Sequence, residues 1–451
     1  MALPIQLSHF YATDPYLTFC LTLALLIILK KPRWYHGILL GISLGLAAAS
    51  KISAVYFLPT VALAYGGHFW KTKNWKLIAI LILLTALFFY LTLRLSYPYM
   101  FATGNLLDTH LNPKILANWK ELEGFNNPNA SFPPALQWLH TTAYLFPLLN
   151  MVWFGLGVPL SIVTIAGIVY ALFRRKKYPW LLLTLVWIAT TFGYQGFQFV
   201  KALRYFYPIY PALAIFAGLG ISCITSFPRR RESTRWILGS SPRMTGLILL
   251  IVIVCSISIW PIMLLSIYGR PHSRVTASQW ICDNVASGSM LATEHWDDGL
   301  PLNLSEECNP SRYRYIDMTL YDPDSQEKWQ TMEEKLQQTD YILLTSNRLY
   351  GSIVGVAERY PATTKYYESL FNGSLGFKKV AEFTSRPNLP IPGIFWCFTP
   401  PGFTYGTISQ TEECSTPGLT LVDDYADETW TVYDHPKVII FQKINNEAKT
   451  F

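Results

Sequence analysis

Charge is scarce in this chain, and acidic charge is almost missing from its first part. Only 14% of the 451 residues are Asp, Glu, Lys or Arg, against about 25% in an average soluble domain. Residues 1–271 hold 5 acidic and 22 basic side chains, whereas residues 272–451 hold 24 and 14. That asymmetry describes two environments and excludes a single uniform globule. A nucleotide-binding Gly-rich loop, an HExxH helix and a Ser/His/Asp signature are all missing, which removes the commonest enzyme signatures. No basic segment precedes the first apolar run and no small-residue cleavage site follows it. Membrane insertion is therefore expected to rely on the helices themselves. Cysteine is sparse too: Cys20, Cys223 and Cys255 lie in apolar runs, where packing is the plain role. Cys282, Cys308, Cys397 and Cys414 lie in the polar C-terminal part, with no zinc spacing; two disulfides form there if the compartment is oxidising. No internal repeat is present.

What is abundant is apolar sequence, 51% of the chain. Helical runs are predicted at Tyr16–Leu29, Gly37–Ser50, Ile52–Tyr65, Leu77–Leu93, Met151–Phe173, Trp180–Gly193, Phe206–Thr225 and Gly246–Ile267. Several fall short of the roughly 20 residues that a span needs. The four basic clusters, Lys30/Lys31/Arg33, Lys71/Lys73/Lys76, Arg174–Lys177 and Arg229–Arg243, decide the count. With about eight crossings all four fall on one side, which the positive-inside rule makes cytoplasmic; with seven, the first cluster falls opposite the others. The basic half thus reads as a membrane protein with cytoplasmic loops, and nucleic acid is not an expected partner.

The expected fold is a polytopic α-helical membrane protein with a soluble α/β domain at its C-terminus. Residues 1–271 form the transmembrane part and residues 272–451 an extracytoplasmic domain. That domain carries short β-type runs such as Tyr341–Thr345 and Lys437–Gln442, and an amphipathic stretch near Gln326–Gln338. The loop Ser96–Asn150 lies outside and is too long for a plain connector, so re-entrant or interfacial helices are expected in it. Residues 226–245 (SFPRRRESTRWILGSSPRMT) resemble the translated product of a palindromic repeat interspersed in bacterial genomes. The resemblance implies a bacterial source and a tolerated cytoplasmic insertion; an ordinary basic loop is the alternative.

Candidate chemistry sits at the outer helix ends. Asp14 is the only carboxylate before Asp108. A helix N-cap is its plain reading; a carboxylate that binds a metal or orients a substrate is the functional one. Lys51 lies between two short apolar runs, where an ionisable group is functional unless it snorkels to the interface. Lys201 and Arg204 precede another helix on the same side and suit a lipid phosphate, Arg as a bidentate fork and Lys as a point charge. Simple headgroup anchoring is their alternative, and the neighbouring Tyr205, Phe206, Tyr207 and Tyr210 read as an interfacial belt. The acidic run Glu294, Asp297 and Asp298 reads as a surface loop, with a role over the site as the alternative.

SHFYATDPYLTF, GISLGLAAASKISAVYFLP, RLSYPYMF, PPALQW and VKALRYFYPIYP resemble polyprenyl-phosphate-dependent glycosyltransferases of the GT-C fold. That group includes protein mannosyltransferases, aminoarabinose transferases and a bacterial subgroup to which TASQWICDNV, ATEHWDDGLP and VYDHPKVIIF are also similar. The resemblance implies a multi-pass protein of the inner (plasma) membrane. It would move a sugar from a polyprenyl-phosphate carrier to a glycan, lipid or protein acceptor at the outer face, with inversion. Asp14 would match the family's second acidic position, as general base or as ligand of a divalent metal such as Mg or Mn. Lys51, Lys201 and Arg204 would hold the carrier phosphate. Family members begin with two or three further helices and an acidic first external loop, whereas this chain opens just before Asp14. Its 451 residues are therefore expected to be catalytically incompetent alone. A non-enzymatic membrane protein, a carrier-lipid binder, transport component or inactive remnant, is the other reading.

Overall fold

The computed structural model describes residues 1–129, 133–174, 176, 179–226, 242–410 and 416–444. Most of the basic loop 226–245, together with Arg175, Lys177 and Cys414, lies outside the described residues. By its contacts the chain divides into two units, residues 1–127 with 142–260 and residues 128–141 with 261–451.

The first unit is helical. Its elements are α1 (Ala2–Ser8), α2 (Asp14–Ile28), α3 (Trp34–Ser50), α4 (Leu58–Thr72), α5 (Trp75–Ser96), α6 (Pro113–Phe125), α7 (Leu145–Asn150), α8 (Val158–Phe173), α9 (Trp180–Gln195) and α10 (Tyr210–Ser226); α11 (Pro242–Tyr268) begins in it. Among the described residues four helices are long and apolar enough to cross a membrane: Ile52–Thr72, Trp75–Ser96, Leu203–Ser226 and the run beginning at Met244. A bent pair, Leu145–Leu156 with Val158–Phe173, makes a fifth if it is one span. Asp14–Ile28, Trp34–Ser50 and Trp180–Gln195 are apolar but shorter. At 1.5 Å per residue they fall below the roughly 30 Å of a hydrocarbon core.

The single helix expected over Met151–Phe173 is corrected. The chain bends by 113° between the two halves of the pair, because Gly157 takes φ +84 and Pro159 follows at the start of α8. A left-handed glycine ends one helix and a proline in the first turn starts the next.

Without a hydrophobic force between helices in lipid, close backbone approach must hold them together. The sequence supplies it through small residues. Gly37, Gly41 and Gly45 line one face of α3 against α5, where a methyl at Gly41 would sit 2.6 Å from the Thr85 carbonyl oxygen and 2.8 Å from Phe88 Cβ. Gly167 of α8 and Gly220 of α10 meet in the same manner, each against the other helix's backbone. Gly66 of α4, by contrast, has nothing within 4 Å of an added Cβ.

The second unit is α/β, as its alternating sequence requires. It contains α12 (Ser273–Asn284), β1 (Met290–Glu294), β2 (Arg314–Met318), α13 (Gln326–Gln338), β3 (Tyr341–Leu344), α14 (Arg348–Val354), α15 (Pro361–Phe371), β4 (Phe377–Phe383), β5 (Asn388–Leu389), β6 (Phe395–Phe398), β7 (Gly418–Leu421), α16 (Glu428–Thr431) and β8 (Val438–Lys443). The main sheet has the order β2-β1-β3-β8-β4. Its first three strands are parallel, and β8 runs antiparallel to β3 and β4. The smaller sheet has the order β5-β7-β6. Alternate residues of β3 and β8 feed two cores: Ile342, Leu344, Ile439 and Phe441 pack with Tyr350 and Tyr367, while Leu343, Val438 and Ile440 pack with Ala277 and Ile281. The sheet is therefore covered on both faces, as parallel strands require.

One further sequence expectation changes here, and the expectation of disulfides among the C-terminal cysteines is met for Cys282, Cys308 and Cys397. The Ser96–Asn150 loop carries α6, but its PPALQW segment joins the second unit. Leu136 enters the core beside Tyr350, and Gln137 Oε1 accepts the Glu428 backbone N–H at 3.1 Å. Cys282 and Cys308 form a disulfide with Cα atoms 5.4 Å apart, and Cys397 is disulfide-bonded as well.

Ion pairs carry the polar interior of this unit. Arg386 grips Asp424 through two bonds of 2.8 and 2.6 Å, the bidentate geometry that gives guanidinium–carboxylate pairs their strength. Lys437 lies 3.2 Å from Glu382 and 3.4 Å from Asp424. His435 is held between two carboxylates, Asp434 at Nδ1 and Asp423 at Nε2, the latter 2.9 Å away. Tyr268 caps Asp434 at 2.9 Å, and the Trp430 indole caps Asp423 at 2.9 Å. Burial alone would lower the His435 pKa, but the Asp434 and Asp423 charges outweigh it and push it up to about 10.

Two measurements check this account. Gly41→Val should lower the thermal unfolding midpoint in detergent, by a destabilisation of about 1–3 kcal/mol typical of overpacking. Gly66→Ala should be neutral or stabilising, by up to about 1 kcal/mol from helix propensity. Equal midpoints for the two variants would contradict the α3–α5 contact. The His435 contribution has a fixed sign: its folded pKa lies above the ordinary value of about 6.5, so its stabilisation is complete below that pH and is lost as pH rises through about 10. The midpoint should therefore fall between about pH 6.5 and 10, and His435→Gln should flatten that slope.

Candidate functional site

Asp14, Lys51 and Arg204 are linked through one lysine and one ring: Asp14 bonds Lys51, and Lys51 and Arg204 both lie over Tyr205. Helices α2 and α3 run antiparallel as a hairpin, so the first residue of α2 and the residue that ends α3 come to the same end. Asp14 opens α2 and Lys51 closes α3. Lys51 Nζ donates to Asp14 Oδ1 at 2.7 Å. Thr13, not Asp14, occupies the N-cap position, and no side-chain capping bond forms there. The capping reading of Asp14 is thereby corrected: only 3% of the residue is exposed, and the side-chain bond it makes is to a cation. A carboxylate in the first turn still meets the positive end of the helix dipole favourably.

The third element is the segment before α10, a 3-10 turn over Leu203–Ile209. It brings Tyr205 beneath Lys51, with Nζ 4.4 Å from the ring centroid. Arg204 stacks on the same ring at 5.5 Å. Both cations lie over the same ring, and the two types suit a phosphate, Arg as a planar fork and Lys as a point charge. Tyr205 thus has a role that the belt reading did not give it. Lys201, the fourth candidate, is buried, and its ammonium donates to the Phe199 carbonyl at 3.1 Å.

A cavity of about 90 Å³ adjoins Lys51 and Tyr205. Ser53, Tyr56, Thr191 and Gln195 also line it. Their polarity in apolar helical sequence was the available signal, since polar groups inside a membrane segment mark functional positions. Only the fold shows that α9 delivers Thr191 and Gln195 to the same place as Lys51.

The donor set does not suit a divalent metal. Asp14 already has an ammonium as its counter-ion, which a metal ion would have to displace. Among the described residues no group of three His, Cys, Asp or Glu side chains is placed to hold an ion, fewer ligands than a hard cation takes up.

The acidic run of the second unit is corrected too. Glu294 is 4% exposed, and only Asp298 of the three is solvent-facing. The cause is position: Glu294 ends the parallel strand β1, where chain connections pack over the carboxyl edge of a sheet. Its Oε1 accepts the Tyr367 hydroxyl at 2.5 Å, and burial pushes its carboxyl well above the usual carboxylate range. Arg274 pairs with Asp297 at 2.8 Å and Asp298 at 2.5 Å, and Arg348 pairs with Glu428 at 2.5 Å. These contacts tie the end of β1 to α15 and the turn after it to α12, and they join α14 to α16.

Compared with protein-family models, curated proteins and solved structures, the chain matches none; its functional reading rests on the Asp14–Lys51–Tyr205–Arg204 arrangement and on the motifs in its sequence.

Proposed function

We propose that the chain is a membrane glycosyltransferase of GT-C type, acting on a polyprenyl-phosphate-linked sugar at the outer membrane face. The observation that carries this reading is the ion pair at the helix ends, with a second cation stacked on the same tyrosine. A buried carboxylate paired with one cation, and a second cation on the tyrosine that the first one contacts, offer the base and the phosphate contacts that inverting transfer from a phosphate-linked sugar uses. The carrier phosphate draws Lys51 and Arg204 to itself, which releases Asp14. The Asp14 carboxylate then takes the proton of an acceptor hydroxyl as its oxygen bonds to the anomeric carbon. The bond from that carbon to the phosphate oxygen breaks with inversion, and the carrier leaves as a phosphate held by the same cations. No metal enters this scheme.

The orientation follows from charge. Taking the four long helices, the bent pair and the three shorter helices as crossings gives eight, which puts the basic loops in the cytoplasm and the α/β unit outside. The Cys282–Cys308 disulfide supports that side, since disulfides persist in oxidising compartments.

A second reading, a carrier-lipid binder that performs no transfer, is favoured by the same 2.7 Å contact: Lys51 neutralises the one carboxylate available at these helix ends. Turnover separates the two. Membranes carrying the protein are incubated with radiolabelled polyprenyl-phosphate sugars and the labelled product is counted. Asp14→Asn keeps an oxygen to accept the Lys51 bond, so it should fold; in a form of the protein that also carries upstream sequence, the transferase reading expects about a hundredfold or greater loss of turnover, the scale of a removed general base. Arg204→Lys should weaken carrier binding although charge is kept, because the planar fork is lost. Carrier binding with no turnover in wild type, in the form that carries upstream sequence, would leave the binder reading.

Topology has its own test. Protease added to right-side-out vesicles should cut the α/β unit and spare the loop at Arg174. Cleavage of the α/β unit confined to inside-out vesicles would overturn the orientation.

A further inference from the structure

The larger cavity of the helical unit lies at the other end of the α2–α3 hairpin. It has a volume of about 850 Å³, at the upper end of the roughly 300–1,000 Å³ of small-molecule sites. Its walls come from the end of α2, the start of α3, α4, and the start of α9, and they are mostly Leu, Ile, Val and Ala. Leu40 and Leu81, both at 0% exposure, close its inner side. Lys30, Lys31 and Lys71 line it as well, and all three are exposed. The cations therefore stand at the open side and the apolar wall at the closed side. His36 and His68 add two further nitrogen-bearing rings, and no carboxylate is among the described residues that line it.

This polarity selects a ligand class. A purely apolar occupant would leave three ammonium groups with no counter-charge, and a small anion would leave most of the wall uncovered. An amphiphile with a phosphate head and acyl chains satisfies both, because buried apolar area drives the chains in and clustered lysines beside helix ends attract anionic headgroups. Trp180, 38% exposed, lines the same cavity and is the residue type found at headgroup level. We propose that this cavity is a binding site for one anionic diacyl phospholipid, with its phosphate on Lys30, Lys31 and Lys71 and its chains along α4 and α9. The site is separate from Asp14 and Lys51, which occupy the opposite ends of α2 and α3, so it stands or falls independently of the glycosyltransferase reading.

The test is native mass spectrometry of the full chain released from detergent with defined lipids. Phosphatidylglycerol and phosphatidylcholine of identical chains are compared, with inorganic phosphate as a headgroup-only probe. Wild type should retain one phosphatidylglycerol in preference to phosphatidylcholine and should hold no phosphate alone. The triple variant Lys30→Gln/Lys31→Gln/Lys71→Gln should lose phosphatidylglycerol affinity on the order of a hundredfold, from about 1 kcal/mol per lysine, while phosphatidylcholine is unaffected. Lys71→Gln alone should lose about fivefold on the same scale, which serves if the triple variant unfolds. Gly67→Trp, on the α4 wall where an added Cβ meets nothing within 4 Å, should weaken both lipids by filling the cavity. Equal retention of the two lipids, indifference to the lysine variants, or preferential binding of a polyprenyl phosphate would each overturn the assignment.

Discussion

Charge removed from water must be paired, and that constraint shapes both units. An isolated ion in a low-dielectric interior costs several kcal/mol or more, and breaking one side of a buried pair costs about 3–5 kcal/mol. In the helical unit the price falls on Asp14, which is buried at the end of an apolar helix and must have Lys51 beside it. That pair ties the start of α2 to the end of α3, which the antiparallel hairpin brings to the same end. In the α/β unit the same requirement links Arg386 to Asp424, His435 to two aspartates, and Arg274 to the turn after β1. Segments far apart in sequence are fixed by charges that neither could bury alone.

A paired charge is also a stored capacity. On the proposed transferase reading, a phosphate entering beside Lys51 and Arg204 would give Lys51 a second anionic partner and so free the Asp14 carboxylate. Both cations contact Tyr205. In the α/β unit Arg386, Lys437 and His435 are buried among Glu382, Asp423, Asp424 and Asp434, which is the arrangement of a structural network. The two sets of ion pairs thus share a physical origin and differ in what can reach them.

Helix packing follows a second rule, set by the solvent. Lipid supplies no hydrophobic drive between helices, so backbones must approach closely enough for dispersion and weak polar contacts to hold. The glycine rows of α3, and the Gly167–Gly220 contact of α8 with α10, provide that approach. Gly157 does something different: its positive φ turns the chain by a sharp angle and starts α8 anew. One residue type serves close approach at some positions and chain reversal at another.

Much was legible in one dimension. Apolar runs and their basic flanks marked the helices, because span length and loop charge are local properties. The Gln326–Gln338 stretch became α13 with the same bounds, since amphipathic period is local as well. The runs Tyr341–Thr345 and Lys437–Gln442 became β3 and β8 within a residue or so at each end. Asp14, Lys51 and Arg204 could be singled out because an ionisable group among apolar residues is conspicuous in any sequence. What the sequence could not give was proximity. That Lys51 bonds Asp14 across 37 positions, that Tyr205 lies beneath it, that PPALQW enters the core of the α/β unit, and that Glu294 and Asp297 are buried all depend on which elements fold against which. The break at Gly157 belongs to the same class: glycine permits a positive φ at little cost, but only the packing of α8 against α10 makes the chain use it. Local chemistry set the helices and the candidate charges; long-range packing decided which charges meet.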